Sequence, residues 1–320
     1  GVWTDEVGDC FLEHWKHIMR PSKGIHLTFN KSRLPLASAV VMGVESRIVF
    51  GIPRHEMVIV GTTDTDYKQD PAQVHSTEED VSYLLKVANE YFPGAKLTKK
   101  DIVASYAGVR PLVDDGSSSE GKTSREHIII NHPQNITFVA GGKYTTYRNM
   151  AEETVDSVLS YLPIEKQAAV KRCRSEEPLN PMIDSIKFKQ AHLYIPHWAN
   201  QWGRSIPFVT KLVERHGLES KELYEQFAKK HKAADEDQLF WLIELEYALK
   251  NPMCMSLRDF VLRRVPAFLA LPDNGRSHYQ SWATVIAQHL GRGEDYVAEQ
   301  LDEMQRHINL ELNWKSNLSD

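Results

Sequence analysis

The stretch from Ala140 to Glu152, AGGKYTTYRNMAE, carries the chain's densest set of groups able to hold a ligand. ITFVA, just before the glycines, reads as a short buried strand. Gly141 and Gly142 then let the backbone turn sharply and let another group approach with no Cβ in the way. The helix-like YRNMAEETVDSVLSYL follows, so its unpaired N–H groups and the positive end of its dipole face the turn. Lys143, Thr145 and Thr146 add donors at the same end. The arrangement suits an anion or an electron-rich ring. The same residues also describe an ordinary strand–turn–helix with a solvated lysine, and the threonines can serve merely as caps.

Three further side chains could complete a site. Arg110 lies in AGVRPLV among apolar residues, where a guanidinium needs a partner. Asp114 or Asp115 could supply a simple ion pair. Arg125, in TSREHII, opens a strand after a polar loop, and its forked donors match phosphate oxygens better than a lysine point charge does. It could equally be solvated. His26 sits on the face of GIHLTF opposite Ile25 and Leu27, and an imidazole can accept a proton near neutral pH. A lone strand histidine is more commonly a surface or capped residue. His55, His127 and His132 fall in turns or at strand ends and are weaker candidates. The Asp and Thr residues of GTTDTDY read as turn ties, with Asp64 able to orient an arginine.

The elements that must position these groups are of two kinds. Up to Phe138 the pattern mixes α and β. Residues 3–18 have Trp3, Val7, Phe11 and Trp15 at helical spacing. GIHLTF alternates as a strand. RIVFGIP and MVIVGT read as a hairpin through PRHE. STEEDVSYLLKVANEYFPG reads as a helix capped by Ser76 and Glu79 and ended by Pro93-Gly94. DDGSSSEGKTS is a polar loop, and HIII pairs with ITFVA. Beyond KRCRSEEPLNP the pattern is helical. Residues 239–245 form a strongly apolar helix, Ser256 and Asp259 have cap spacing, and residues 295–312 make a final amphipathic helix. Trp198, Trp202 and Trp241 read as core, and Arg258, Arg263 and Arg264 as a solvated or salt-bridged face. The expected fold is α+β. A mixed, mainly antiparallel sheet is followed by an all-α C-terminal domain. The segments are 1–20, 21–138, 139–171 and 172–320, with the boundary near 172–182.

With 320 residues, 42% of them hydrophobic, the chain can bury a real core. A net charge of −5 without basic blocks argues against bulk nucleic-acid binding. Cys10, Cys173 and Cys254 form neither a disulfide framework nor a zinc pattern, which fits a reducing compartment; no metal is expected. No apolar run approaches the roughly 20 residues that span a bilayer. The opening GVWTDEV lacks Met and reads as the interior of an element, so residues N-terminal to it are expected to be missing.

AGGKYTTYRNMAE resembles the closing signature of the FAD-dependent glycerol-3-phosphate dehydrogenases. Other segments agree, in the family's order. SKGIHLTF is similar to its SKG-x-H strand, and GIPRHEMVIVGTTDTDY to its hairpin ending in GTTDT-x-Y. ASYAGVRPLVDD and KTSREHII are similar to its two arginine segments, and ELEYALKNPMCMSLRDFVLRRV to its C-terminal helical signature. The N-terminal GxGxxG segment of the family has no counterpart here, so the chain resembles the C-terminal part of such an enzyme.

The resemblance implies oxidation of the C2 hydroxyl of glycerol 3-phosphate to a ketone, with hydride passing to FAD and electrons to a quinone. It implies His26 as base, Arg110 beside substrate and flavin, and Arg125 on the phosphate, so His26, Arg110 and Arg125 together bind substrate. It assigns Gly141, Gly142, Lys143, Thr145 and Thr146 to the cofactor, with Lys143 toward the flavin pyrimidine edge. Without the GxGxxG half, tight FAD binding and turnover by the isolated chain are not expected. A glycerophosphate oxidase using oxygen shares these motifs. A non-catalytic cap or a helical interaction module is the reading of a different class. The expected location is cytoplasmic, with at most peripheral contact at the cytoplasmic face of the inner membrane, and a homodimer is compatible with the sequence.

Overall fold

The computed structural model describes residues 1–44, 47–116, 123–177, 184–231, 235–251 and 253–315. They divide into two compact units. The first is Gly1–Ser175 together with the stretch from Ile308, and the second is Glu176–His307. Residues 117–122 of the expected polar loop and 178–182 of the expected boundary lie outside the described residues.

The first unit is built on an antiparallel sheet of β1 (Ser22–Asn30), β2 (Val40–Val44), β3 (Arg47–Arg54), β4 (Met57–Gly61), β5 (Thr65–Asp66) and β6 (Ile102–Arg110). β1 is its centre: β4 and β5 pair with it at its two ends, and β6 pairs along its length. Strand alternation fixes the two faces. Ile25, Leu27 and Phe29 are fully buried, as are Met42, Val49, Val58 and Val60. The helix that covers them, α2 (Glu78–Tyr91), contributes Val81, Leu84, Val87 and Ala88. His26 projects from the opposite face, as the alternation of GIHLTF requires. A separate hairpin pairs β7 (His127–His132) with β8 (Ile136–Gly141). After it come a 3-10 turn, Tyr144–Thr146, then α3 (Tyr147–Leu159) and the short α4 (Ile164–Gln167).

The sequence reading needs three corrections here. The expected helix over 3–18 stops early as α1 (Thr4–Phe11). Asp5 causes this: its carboxylate accepts hydrogen bonds from Trp15 Nε1 at 2.9 Å, Ile18 N at 3.0 Å and Met19 N at 3.0 Å, which folds the following segment back. The cap of α2 is Thr77 with Asp80, one residue later than expected. The N–H of Ser76 instead points to Glu311. β2, β5 and β6 have no counterpart among the expected strands, although β6 ends in Arg110.

The second unit is helical. It holds α5 (Ser185–Leu193), α6 (Ile195–Trp202), α7 (Ile206–His216), α8 (Ser220–Phe227), α9 (Glu236–Lys250), α10 (Leu257–Asp259), α11 (Ala267–Ala270), α12 (Arg276–His289) and most of α13 (Glu294–Glu311). Trp282, Phe260, Phe268, Leu239 and Leu212 are buried at its centre. Ser256 caps α10 through Asp259 N as expected. Buried Glu244 pairs with Arg215 at 2.9 Å and lies within hydrogen-bond distance of His216 Nε2 at 2.7 Å. The fold is therefore α+β with antiparallel pairing, followed by a helical part, as the pattern implies. Asp5→Ala should lower the unfolding free energy by about 1–3 kcal/mol, because it strands N–H donors that no longer have an acceptor. Denaturant unfolding measures this, and an unchanged midpoint would show that Asp5 does not hold the reversal.

Candidate active site

Three strands bring the site together. Ser22 of β1 pairs with Arg110 at the end of β6, and His26 pairs with both Gly61 of β4 and Tyr106 of β6. Period-two alternation places Ser22, Gly24 and His26 on one face, beside Tyr106 and Arg110. Glycines clear the space. A Cβ on Gly24 would lie 2.2 Å from the Arg110 guanidinium, and one on Gly61 would lie 2.2 Å from the His26 ring. The two side chains lie flat over backbone that carries none.

Asp64, in the GTTDT turn, is the common partner. One carboxylate oxygen accepts from Arg110 Nη1 at 3.1 Å, and the other accepts from Arg125 Nη2 at 3.3 Å. Ser22 Oγ also donates to it. Arg110 Nη2 further donates to Thr62 Oγ1 at 2.9 Å and to the Thr63 carbonyl at 3.1 Å. Thr63 Oγ1 accepts the Ile25 N–H at 3.0 Å, locking the turn onto β1. The residues read as turn ties thus form a cradle for Arg110. Its ion pair runs to Asp64, where the sequence offered Asp114 or Asp115.

Burial lowers the Arg110 pKa, Asp64 raises it and Arg125 lowers it. Arg125 is more open, with a side chain 49% exposed. The His26 ring stacks on Tyr106, with centroids 4.8 Å apart and planes at 10°. Burial, and then the nearby Arg110 charge, press its pKa down to about 4. It is a neutral imidazole at physiological pH.

The glycine turn lies at the end of β8. Gly141 and Gly142 have φ of +74° and +84°, the left-handed region that glycine occupies freely. A Cβ on Gly141 would meet the Glu126 carbonyl at 2.6 Å and the Val113 side chain at 3.1 Å. Lys143 pairs with Glu126 at 3.7 Å and is half exposed. The chain neighbour of Glu126 is Arg125. Thr146 Oγ1 donates to the Lys143 carbonyl at 3.0 Å within the 3-10 turn and caps no helix N–H, and Thr145 is exposed. The structure thus ties His26, Arg110 and Arg125 to one sheet face and turn. Among the described residues no contact joins Lys143 to that group; its partner is Glu126, the chain neighbour of Arg125. Ser22, Thr62, Thr63 and Tyr106 were not singled out from sequence. The run GTTDTDY was the available signal for the threonines.

The fold and the sequence are similar to those of flavin-dependent oxidoreductases. Residues 1–148 match the family model "FAD dependent oxidoreductase", and residues 185–297 match "C-terminal domain of alpha-glycerophosphate oxidase". The chain is 28% identical over 319 residues to an aerobic glycerol-3-phosphate dehydrogenase of Staphylococcus haemolyticus, covering 98% of this chain and 56% of that protein. It is 28% identical over 371 residues to an alpha-glycerophosphate oxidase of Streptococcus pyogenes, covering 96% and 60%. The crystal structure of the glycerol-3-phosphate dehydrogenase from Bacillus halodurans complexed with FAD matches with a TM-score of 0.80 at 26% identity, covering 99% of this chain and 62% of that one. The resemblance to FAD-dependent glycerol-3-phosphate dehydrogenases therefore extends along the chain, which spans about half the length of the first relatives it matches. No helix among the described residues is long and apolar enough to cross a membrane.

His26 should titrate near pH 4 by NMR of isotope-labelled histidine. Its folded pKa lies below the usual 6.5, so the unfolded chain takes up this proton first as pH falls. The His26 contribution to stability is whole above about pH 6.5 and is lost as pH falls from there toward about 4. A midpoint at or above 6.5 would contradict the buried, cation-flanked setting. Gly61→Ala should displace the ring and shift its resonances while the sheet persists.

Proposed function

We propose that the whole protein oxidises glycerol 3-phosphate to dihydroxyacetone phosphate, using FAD and passing the electrons to a quinone. One observation carries the reading: Arg110 and Arg125 share the single carboxylate of Asp64 beside a neutral, half-buried histidine. Two guanidiniums against one carboxylate leave a net positive site suited to a dianionic phosphate, and a neutral imidazole is able to accept the hydroxyl proton.

The glycine turn fits the edge of an electron-rich ring. Gly141 and Gly142 leave it bare of side chains, and exposed Lys143 and Thr145 can turn donors outward. We assign Gly141, Gly142, Lys143, Thr145 and Thr146 to FAD, which when bound supplies the hydride acceptor. Lys143 would place positive charge where negative charge grows. Arg125 holds phosphate oxygens, Arg110 orients the substrate from its cradle, and His26 takes the proton from the C2 hydroxyl at a ring nitrogen. Fixing these groups in one geometry is itself a large part of the rate.

No residue of α3 is buried, and Tyr144, Tyr147 and Val155 are largely exposed. Those apolar side chains support packing against residues outside this chain, the N-terminal FAD-binding portion. By itself the chain would hold FAD weakly and turn nothing over. Use of oxygen in place of quinone is the second reading, favoured by the match of residues 185–297 to the oxidase C-terminal domain. Peroxide formation by the full-length enzyme distinguishes the two. Contact with a membrane surface would be peripheral.

In the full-length enzyme, His26→Ala should lower kcat by roughly 100- to 10,000-fold. Arg110→Ala should also lower kcat sharply. Arg125→Ala should raise KM for glycerol 3-phosphate about ten-fold or more, with a smaller effect on kcat. An unchanged KM would remove Arg125 from the phosphate.

A further inference from the structure

β6 has a strand partner on one side, β1, and along its other edge run the last described residues of the chain. Glu311, at the end of α13, is buried. Its Oε1 accepts the Ala107 N–H at 2.8 Å, and its Oε2 accepts the Ser76 N–H at 3.4 Å. The Glu311 carbonyl accepts from Ser105 Oγ at 2.8 Å, and Trp314 Nε1 donates to the same hydroxyl at 2.9 Å. Lys315 Nζ donates to the carbonyls of Ile102 at 2.8 Å and Val103 at 3.0 Å. These contacts give partners to the Ala107 N–H and to the carbonyls of Ile102 and Val103 on this edge of β6.

The carboxylate contact has a particular place. Ala107 is the next residue after Tyr106, and the Tyr106 ring is the surface on which His26 lies. The chain of contacts runs from Glu311 through one backbone N–H to the stacked ring and the imidazole. Ser105 and Trp314 hold the strand one residue before Tyr106, and the carboxylate accepts the Ala107 N–H one residue after it. Placing an acceptor on each side of Tyr106 pins the ring's own backbone.

We propose that Glu311 is a positioning residue for His26, holding β6 at Ala107 so that Tyr106 keeps the imidazole in one plane. This rests on the reading of His26 as proton acceptor. Burial is tolerated because two N–H groups face the carboxyl, with Lys23 and His75 nearby; burial still raises its pKa to about 7. Glutamine at this position keeps an acceptor for Ala107 and has no titrating proton.

Two readouts test the proposal. In this chain, the ring protons of His26 should be shifted upfield by the stacked Tyr106. Glu311→Ala should move them toward their positions in Tyr106→Leu, and Glu311→Gln should leave them near wild type. In the full-length enzyme, Glu311→Ala should lower kcat per bound flavin roughly ten- to a hundred-fold at nearly constant KM, with Glu311→Gln restoring most of it. Should the alanine variant not fold, Glu311→Asp keeps the charge, withdraws the acceptor by one methylene and should give the same signature. His26 resonances that do not move in either the alanine or the aspartate variant would overturn the proposal, as would equal losses in the alanine and glutamine variants. Moved resonances with unchanged kcat would uphold the positioning and overturn the proton-acceptor role of His26.

Discussion

The site depends on one carboxylate held between two guanidiniums. Asp64 is mostly buried and its oxygens serve Arg110, Arg125 and Ser22. A half-buried guanidinium costs solvation free energy, and Arg110 tolerates burial because its donors are matched by Asp64, Thr62 and the Thr63 carbonyl. Removing Asp64 would leave two like charges facing each other across a partly dry turn. With it, the ensemble keeps one net positive charge, aimed at the face that also carries His26. The same pairing therefore holds the turn together and leaves binding capacity unspent.

Glycine does the complementary work. A sheet face built from ordinary residues would push Arg110 and His26 upward into solvent, where neither would feel the other. Gly24 and Gly61 remove the two Cβ atoms in the way, so both side chains lie against backbone. That is why the Arg110 charge reaches the imidazole strongly enough to help depress its pKa. Gly141 and Gly142 act differently: their left-handed backbone turns the chain from β8 toward α3, and the absent side chains keep the turn open.

Legibility in the sequence followed the range of the interaction. The alternation of GIHLTF, the β3–β4 hairpin, the β7–β8 pair and α9 all follow from neighbours within a few residues, and each is present. α1 ended early because Asp5 bonds to residues 10, 13 and 14 positions on, which helical spacing does not reveal. β2 escaped notice because it is short, contains Gly43, and follows Leu-Ala-Ser-Ala without a turn signal. The role of GTTDT was legible only as a turn, since its arginine partners lie 46 and 61 residues away from Asp64. Glu311 is 204 residues from Ala107, and nothing local distinguishes it from the other acids of an amphipathic helix. Resemblance pointed to His26, Arg110 and Arg125 as candidates. It did not supply the residues that hold them.

For His26 as the proposed base, a pKa near 4 is poorly matched to neutral pH until its causes are separated. Burial is the larger cause and Arg110 the second. A dianion seated on Arg110 and Arg125 would cancel part of the cationic field that falls on the imidazole, and would do so only when substrate is present. Burial remains, so the ring stays neutral while the site waits, and it is not consumed by protons from water. Its basicity would rise on binding, as the hydroxyl to be deprotonated comes within reach. On the proposed reading the arrangement would couple phosphate recognition to proton acceptance through charge, with Arg110 at the junction because that residue touches both the carboxylate and the histidine's field.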